Sequence, residues 1–127
     1  MDIENFSCRW FAAAIVYLVA GVALGVFMGA SGDHSLMPAH AHVNLMGWVS
    51  MALMGFLYRT YPAAARTTAA VWHFWLYQIG TPVLLLAVAA IHTGHSAAEP
   101  VAGAASVVVL ASVLLFARAF VAGRRAT

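Results

Sequence analysis

Four long apolar stretches dominate the chain, and short polar stretches separate them. The apolar stretches cover about residues 9–30, 38–59, 69–92 and 99–122. Each approaches or exceeds the roughly 20 residues that an α-helix needs to cross a bilayer. The segments between them hold Gly, Pro, Ser, Thr and Asp, which is typical of turns. The pattern predicts an all-α membrane protein, a bundle of four transmembrane helices forming one domain over residues 1–127.

Composition and charge narrow the class of protein further. Hydrophobic residues make up 64% of the chain and charged residues only 8%, whereas a soluble domain carries about a quarter charged residues. The net charge of +2 is too small and scattered to favour a nucleic-acid partner. The single cysteine, Cys8, excludes an intrachain disulfide framework. Because the first apolar stretch exceeds the roughly 7–15 residues of a signal-peptide core, we expect it to be retained as a helix.

The arginines predict the orientation of the helices in the bilayer. With four spans, they all fall on one face, at the N-terminus, the second loop and the C-terminus. Basic residues in short loops mark the cytoplasmic side. We therefore expect both termini to be cytoplasmic. The arginines are Arg9, Arg59, Arg66, Arg118, Arg124 and Arg125.

Glycines at intervals of four or eight indicate where helices pack closely. Gly21, Gly25 and Gly29 lie on one stripe of the first helix, and Gly47 and Gly55 share a face of the second. Small residues at such spacing let two backbones approach each other in a membrane. These positions predict helix packing seams.

Five of the six histidines are expected at the face opposite the arginines: His34 in the first loop and four at helix ends. His40 and His42 begin the second helix, whereas His92 and His95 end the third. Antiparallel neighbours bring these positions to a similar depth. Since ionisable side chains near membrane depth are often functional, a shared metal or haem site is predicted there.

His40 and His42 cannot both bind one metal ion from a regular helix. Two residues apart on an α-helix means about 200° around the axis, so the two rings point to nearly opposite sides. Either one is a ligand, or the helix serves two sites; the alternative is ordinary core packing with both rings at the interface. The His40 face continues with Asn44 and Trp48, and the His42 face continues with the apolar residues Met46, Val49 and Leu53.

His73 lies at the other end of the third helix. It is 19 residues from His92, a separation of about 28 Å along an α-helix, so the two cannot share an iron within one upright protomer. One interpretation is an interfacial histidine in an aromatic belt; the other is a polar path or second site on one helical stripe. The first would involve Trp72 and Trp75, and the second Tyr77 and Thr81.

The second helix resembles the haem-ligand helix of the haem–copper oxidase superfamily, with the nitric oxide reductase branch nearest. Two flanking segments resemble short four-helix bacterial proteins described as oxidase subunit I-like. The helix resemblance rests on His42-Val43-Asn44-Leu45, Gly55-Phe56, Tyr58 and Tyr61-Pro62, and the flanking segments are His40-Ala41-His42 and His73-Phe74-Trp75-Leu76.

The resemblance implies one four-helix arc of the oxidase catalytic subunit, in a bacterial inner (cytoplasmic) membrane. His42 would be a ligand of haem b, with His40 or His92 of the same or the next protomer as the second ligand. Alternatively, His40 would serve a second iron or a neighbouring protomer. A homo-oligomer, a trimer ahead of a dimer, would rebuild the missing surroundings. The chain has no adjacent His-His pair, so the oxidase copper site is not expected. The full set of candidate haem or metal residues is His40, His42, His73, His92, His95, Asn44, Met46 and Trp48.

Three functions remain open at this point. The first is a haem protein that transfers electrons from a donor or binds O₂ or NO; an enzyme is not favoured, because no acid–base pair or nucleophile is visible. The second is copper handling, because imidazole and thioether ligands suit copper. The third is a cofactor-free assembly subunit, which the glycine seams support. The copper candidates are His34, Met37, His40, His42 and Met46.

Overall fold

The computed structural model describes residues 2–124, and every regular element in that part of the chain is a helix. The elements are α1 (Ile3–Ser31), α2 (Met37–His42), the π-helical segment π1 (Val43–Ser50), α3 (Met51–Thr60), α4 (Pro62–Ala65), α5 (Thr68–His92), a 3₁₀ turn (Ser96–Ala98) and α6 (Glu99–Arg124).

Helix α1 begins six residues earlier than the apolar pattern indicates. The Asp2 side chain accepts a hydrogen bond from the backbone N–H of Glu4 at 3.1 Å and so caps the helix start. This first turn is polar, and a membrane-length apolar window does not include it. The helix ends at Gly32, whose φ of 69° is left-handed and whose N–H donates to the Met28 carbonyl at 3.0 Å.

The second apolar stretch is helical from Met37 to Thr60, but it is not one regular α-helix. Eight of its residues form π1, in which backbone hydrogen bonds reach five residues instead of four. The Ser50 hydroxyl donates to the Leu45 carbonyl at 2.7 Å, and the Tyr77 hydroxyl donates to the Met46 carbonyl at 3.1 Å. These two hydrogen bonds, one from within π1 and one from α5, stabilise the wider turn.

Three helices in the described part of the chain are long and apolar enough to cross a membrane. They are α1, α5 and the segment from Ser96 to Gly123, which contains most of α6. This confirms the prediction of an all-α protein with apolar, membrane-length helices. The predicted count of four spans is not confirmed, because π1 divides the second stretch into pieces that are each too short.

The helices pack around one core near their arginine-bearing ends. Helix α1 lies along π1 and α3, α5 lies along α6, and α2 contacts α5. Aromatic rings occupy the centre of the core: Trp10 stacks on His73 with ring centroids 4.8 Å apart, and Phe6 meets Tyr58 edge-on at 5.2 Å. The remaining core residues come from α1, α3, α4, α5 and α6.

The glycine seams are confirmed at most of the predicted positions. A Cβ at Gly21 would lie 2.6 Å from Oδ1 of Asn44, and one at Gly25 would lie 3.1 Å from Cε1 of His40. A Cβ at Gly47 would overlap the Tyr17 ring, whereas Gly29 has open space around it. The glycines of α1 therefore make room for side chains of α2 and π1.

Candidate histidine site

His42 has one ring nitrogen engaged and the other available. Its Nδ1–H donates to the Pro38 carbonyl, one turn earlier in α2, at 2.7 Å. Because a carbonyl can only accept, this hydrogen bond makes Nε2 the nitrogen with the lone pair. Histidine ligands of metals usually donate their second nitrogen in this way. The half-buried His42 ring therefore keeps the lone pair of Nε2 available.

His92 repeats this arrangement at the end of α5. Its Nδ1–H donates to the Val88 carbonyl at 2.9 Å, again one turn earlier. The His92 side chain is exposed, so its Nε2 can be reached from outside the protomer. The contact between α2 and α5 places His42 and His92 at the same end of the bundle.

His40 packs between α2 and α1, on the side where Gly25 removes a side chain. Its ring lies beside the Asn44 amide, with nitrogen to nitrogen distances of 3.4 and 3.5 Å. The same Asn44 amide donates to the His40 backbone carbonyl at 2.9 Å. As predicted, His40 and Asn44 share a face. That face is turned towards α1.

The predicted apolar face below His42 is divided by π1. Met46 is half-buried and packs against the core, and its carbonyl receives the Tyr77 hydroxyl; Trp48, predicted on the His40 face, also packs against the core. Val49 and Leu53 are instead 39% and 55% exposed. Val49 and Leu53 therefore share an exposed face, whereas Met46 is turned towards the core.

His34 and His95 lie in exposed loops at the same end of the bundle. The His34 ring bonds the Gly32 carbonyl at 3.0 Å, and the His95 ring lies 3.4 Å from the Thr93 hydroxyl. Next to His34, the Asp33 carboxylate accepts the Ser35 backbone N–H at 2.9 Å. This hydrogen bond lowers the pKa of Asp33, which keeps a negative charge beside the histidines.

His73 lies away from this group, as its sequence position predicts, and it is fully buried. Its Nδ1 forms a hydrogen bond of 2.9 Å with the Tyr58 hydroxyl, and its backbone carbonyl accepts the Ser112 hydroxyl at 2.8 Å. Trp72 and Trp75, its neighbours in sequence, are exposed. The interfacial interpretation of His73 is therefore wrong, because the ring faces the core with Tyr77 and Thr81.

Sequence reasoning missed the two polar partners of His73. Tyr58 and Ser112 come from α3 and α6, so no periodicity within α5 could indicate them. Among residues 2–124, a few buried side-chain atoms have no hydrogen-bond partner, and most of them lie around this aromatic core. They are Ser7 Oγ, Trp10 Nε1, His73 Nε2 and Thr81 Oγ1.

The predicted ligands do not form a multi-ligand metal centre within one protomer. In residues 2–124, no three His, Cys, Asp or Glu side chains come close enough to hold one metal ion. A copper site with three such ligands would need a second chain. Haem differs, since the porphyrin supplies four nitrogens and the protein adds only one or two axial ligands.

Comparison with known proteins identifies no relative of the chain. No family model matches the chain, and no curated protein or solved structure gives a significant match. The resemblance of the second helix to oxidase helices therefore stays a prediction.

Proposed function

We propose that the protein is a haem b-binding integral membrane protein that transfers electrons or binds a small gas such as O₂ or NO. The carrying observation is the hydrogen bond from His42 Nδ1–H to the Pro38 carbonyl, which presents Nε2 as a ligand. His92 is oriented in the same way. Two imidazole ligands would give a low-spin, electron-transferring haem, and one would leave a position open for a gas.

The donor set at this end of the bundle fits haem better than a protein-only metal centre. Each of His42 and His92 holds Nδ1 in a hydrogen bond to a backbone carbonyl and offers Nε2, which is the arrangement of an axial histidine ligand. Leu45 and Leu53, in π1 and α3, are 62% and 55% exposed. These apolar side chains would cover a porphyrin face as readily as they would face lipid.

The proposed topology places residues 37–60 as a fourth span, beside α1, α5 and α6. The helical residues of this stretch are continuous, and its apolar length matches a bilayer. The arginines at one end support cytoplasmic termini in a bacterial inner membrane.

A homo-oligomer would complete the haem surroundings. One protomer leaves the His42 helix exposed along Leu45, Val49 and Leu53, and His92 is exposed as well. A second copy could add the missing wall or the second axial ligand. Three copies would reproduce a pseudo-threefold arrangement like that of the oxidase catalytic subunit, so we favour a trimer over a dimer.

The test is the absorption spectrum of the detergent-purified protein. The proposal expects a Soret band with sharp reduced peaks, weakened or shifted in His42→Ala and in His92→Ala. His34→Ala is the matched control, because its ring lies at the same end but in an exposed loop, outside the helices that the proposal assigns to the haem. Added carbon monoxide should change the reduced spectrum only if an axial position is open.

One further measurement keeps the test decisive if a variant folds poorly. Imidazole added to a His42→Gly variant should restore the spectrum, since it can replace the lost ligand. Copper without a Soret band, or full haem with unchanged spectra in both the His42 and His92 variants, would contradict the assignment.

A further inference from the structure

A groove between α1 and α5 lies at the arginine-bearing end of the bundle. Its cavity volume is about 600 Å³. The lining residues come from the second to fourth turns of the two helices, and both helices begin at this end. They are Arg9, Ala12, Ala13, Phe74, Trp75 and Gln78.

Arg9 stands at the mouth of this groove with its charge unpaired. The one ion pair within residues 2–124 joins Arg59 to Glu4 at 3.7 Å. Glu4, the acidic residue in the first turn of α1, therefore pairs with Arg59 and not with Arg9. Arg9 lies six residues after the start of α1, about 9 Å along the helix. Its guanidinium can bind two oxygens of one phosphate or carboxylate at the same time.

The depth of the groove matches the layers of a phospholipid. Trp75 is 52% exposed and lies about 10 Å from the start of α5, level with Arg9, where indole rings prefer the membrane interface. Below Arg9, Ala12 and Ala13 leave room for an acyl chain, and Phe74 lines the groove at the level of Trp75. The groove therefore has a cationic mouth and an apolar floor.

Gln78 adds a polar group one turn below Trp75. It is half-buried, and its amide nitrogen donates one hydrogen bond to the Met51 sulfur at 3.7 Å, which leaves its second N–H for another acceptor. An amide donor at this depth can reach the ester carbonyls that lie just beneath a lipid phosphate. No apolar contact in the groove requires a glutamine there.

We propose that this groove binds one anionic glycerophospholipid. Arg9 binds the phosphate, Gln78 donates to an ester carbonyl, and one acyl chain lies over Ala12 and Ala13. This site is separate from His42 and His92, which lie at the opposite end of the bundle. It does not depend on haem binding.

Native mass spectrometry of the full chain with equimolar dioleoyl phosphatidylglycerol and dioleoyl phosphatidylcholine tests the proposal. The wild-type protein should retain phosphatidylglycerol about fivefold more than phosphatidylcholine, the preference expected of one interfacial cation. Arg9→Gln should bring that ratio close to one. Arg118→Gln is the matched control, since Arg118 is exposed on α6 outside the groove, and its ratio should stay at the wild-type value.

A filling variant tests the acyl-chain part of the site. Ala12 is exposed, so Ala12→Leu should fold normally, which circular dichroism would verify, and should retain less of both lipids. The proposal is overturned if Arg9→Gln keeps the wild-type ratio, if Arg118→Gln loses it equally, or if Ala12→Leu retains both lipids fully. Displacement of the lipid by millimolar glycerol phosphate would also overturn it, because the site would then bind a free anion.

Discussion

The Tyr58 hydroxyl and Nδ1 of His73 are joined by a hydrogen bond of 2.9 Å in the interior of the helix bundle. Neither side chain has any exposed surface. Trp10 stacks against the His73 ring, and Phe116 meets the Tyr58 ring edge-on at 5.5 Å. The bond therefore links α3 to α5 in surroundings where no water competes for either partner.

Removing the Tyr58 hydroxyl should destabilise the protein. Tyr58→Phe keeps the ring packing but leaves His73 Nδ1 without a partner, at a cost of about 1–2 kcal/mol. The measurement is the free energy of unfolding of the detergent-solubilised protein in a denaturant series. Tyr61→Phe serves as control, because Tyr61 is 53% exposed and its change should be close to zero. Equal stabilities for Tyr58→Phe and wild type would show that the bond contributes nothing.

The two outer glycines of the α1 stripe should respond in opposite directions to alanine. A Cβ at Gly21 would meet Oδ1 of Asn44 at 2.6 Å, so Gly21→Ala should destabilise the protein by about 1–3 kcal/mol through overpacking. Gly29 has open space, and Gly29→Ala should be neutral or stabilise by up to about 1 kcal/mol through helix propensity. Thermal unfolding of the two variants side by side measures this difference. Equal shifts in the two would contradict the seam.

The Ser112 hydroxyl ties α6 to α5 through the His73 carbonyl at 2.8 Å. Ser112→Ala should lower the free energy of unfolding by about 0.6 kcal/mol, the average for hydrogen bonds between membrane helices. Ser106→Ala is a matched control on the same helix, since its hydroxyl bonds the Ala102 carbonyl within α6. A larger loss for the Ser106 variant would refute the cross-helix role of Ser112.

The positions of the helices could be predicted from the sequence because polar turns interrupt the apolar stretches so regularly. The packing of Gly21 and Gly25 against α2 and π1 also follows from spacing, since residues four apart share a helix face. The π-helical turn after His42 could not be predicted. Val43–Ser50 contains nothing that separates a four-residue from a five-residue hydrogen-bond pattern.

The candidate site likewise combines hydrogen bonds within one helix, which the sequence can indicate, with contacts between helices, which it cannot. The hydrogen bonds of His42 and His92 to the preceding turn are local, so both residues could be selected from the sequence as possible ligands. The pairing of His73 with Tyr58 depends on how α3 and α5 meet, which no spacing within one helix encodes. Haem binding itself stays a prediction for the spectrum to decide.

The length of α1 has a consequence for the membrane that surrounds it. At 1.5 Å per residue, its 29 residues extend about 43 Å, whereas the hydrocarbon layer is about 30 Å thick. The excess must be taken up by tilting or by projecting into the headgroups. Because the Arg59–Glu4 ion pair sits on the first turn of α1, that turn belongs in the aqueous boundary. The protein should therefore tolerate a thicker bilayer with less distortion than a thin one.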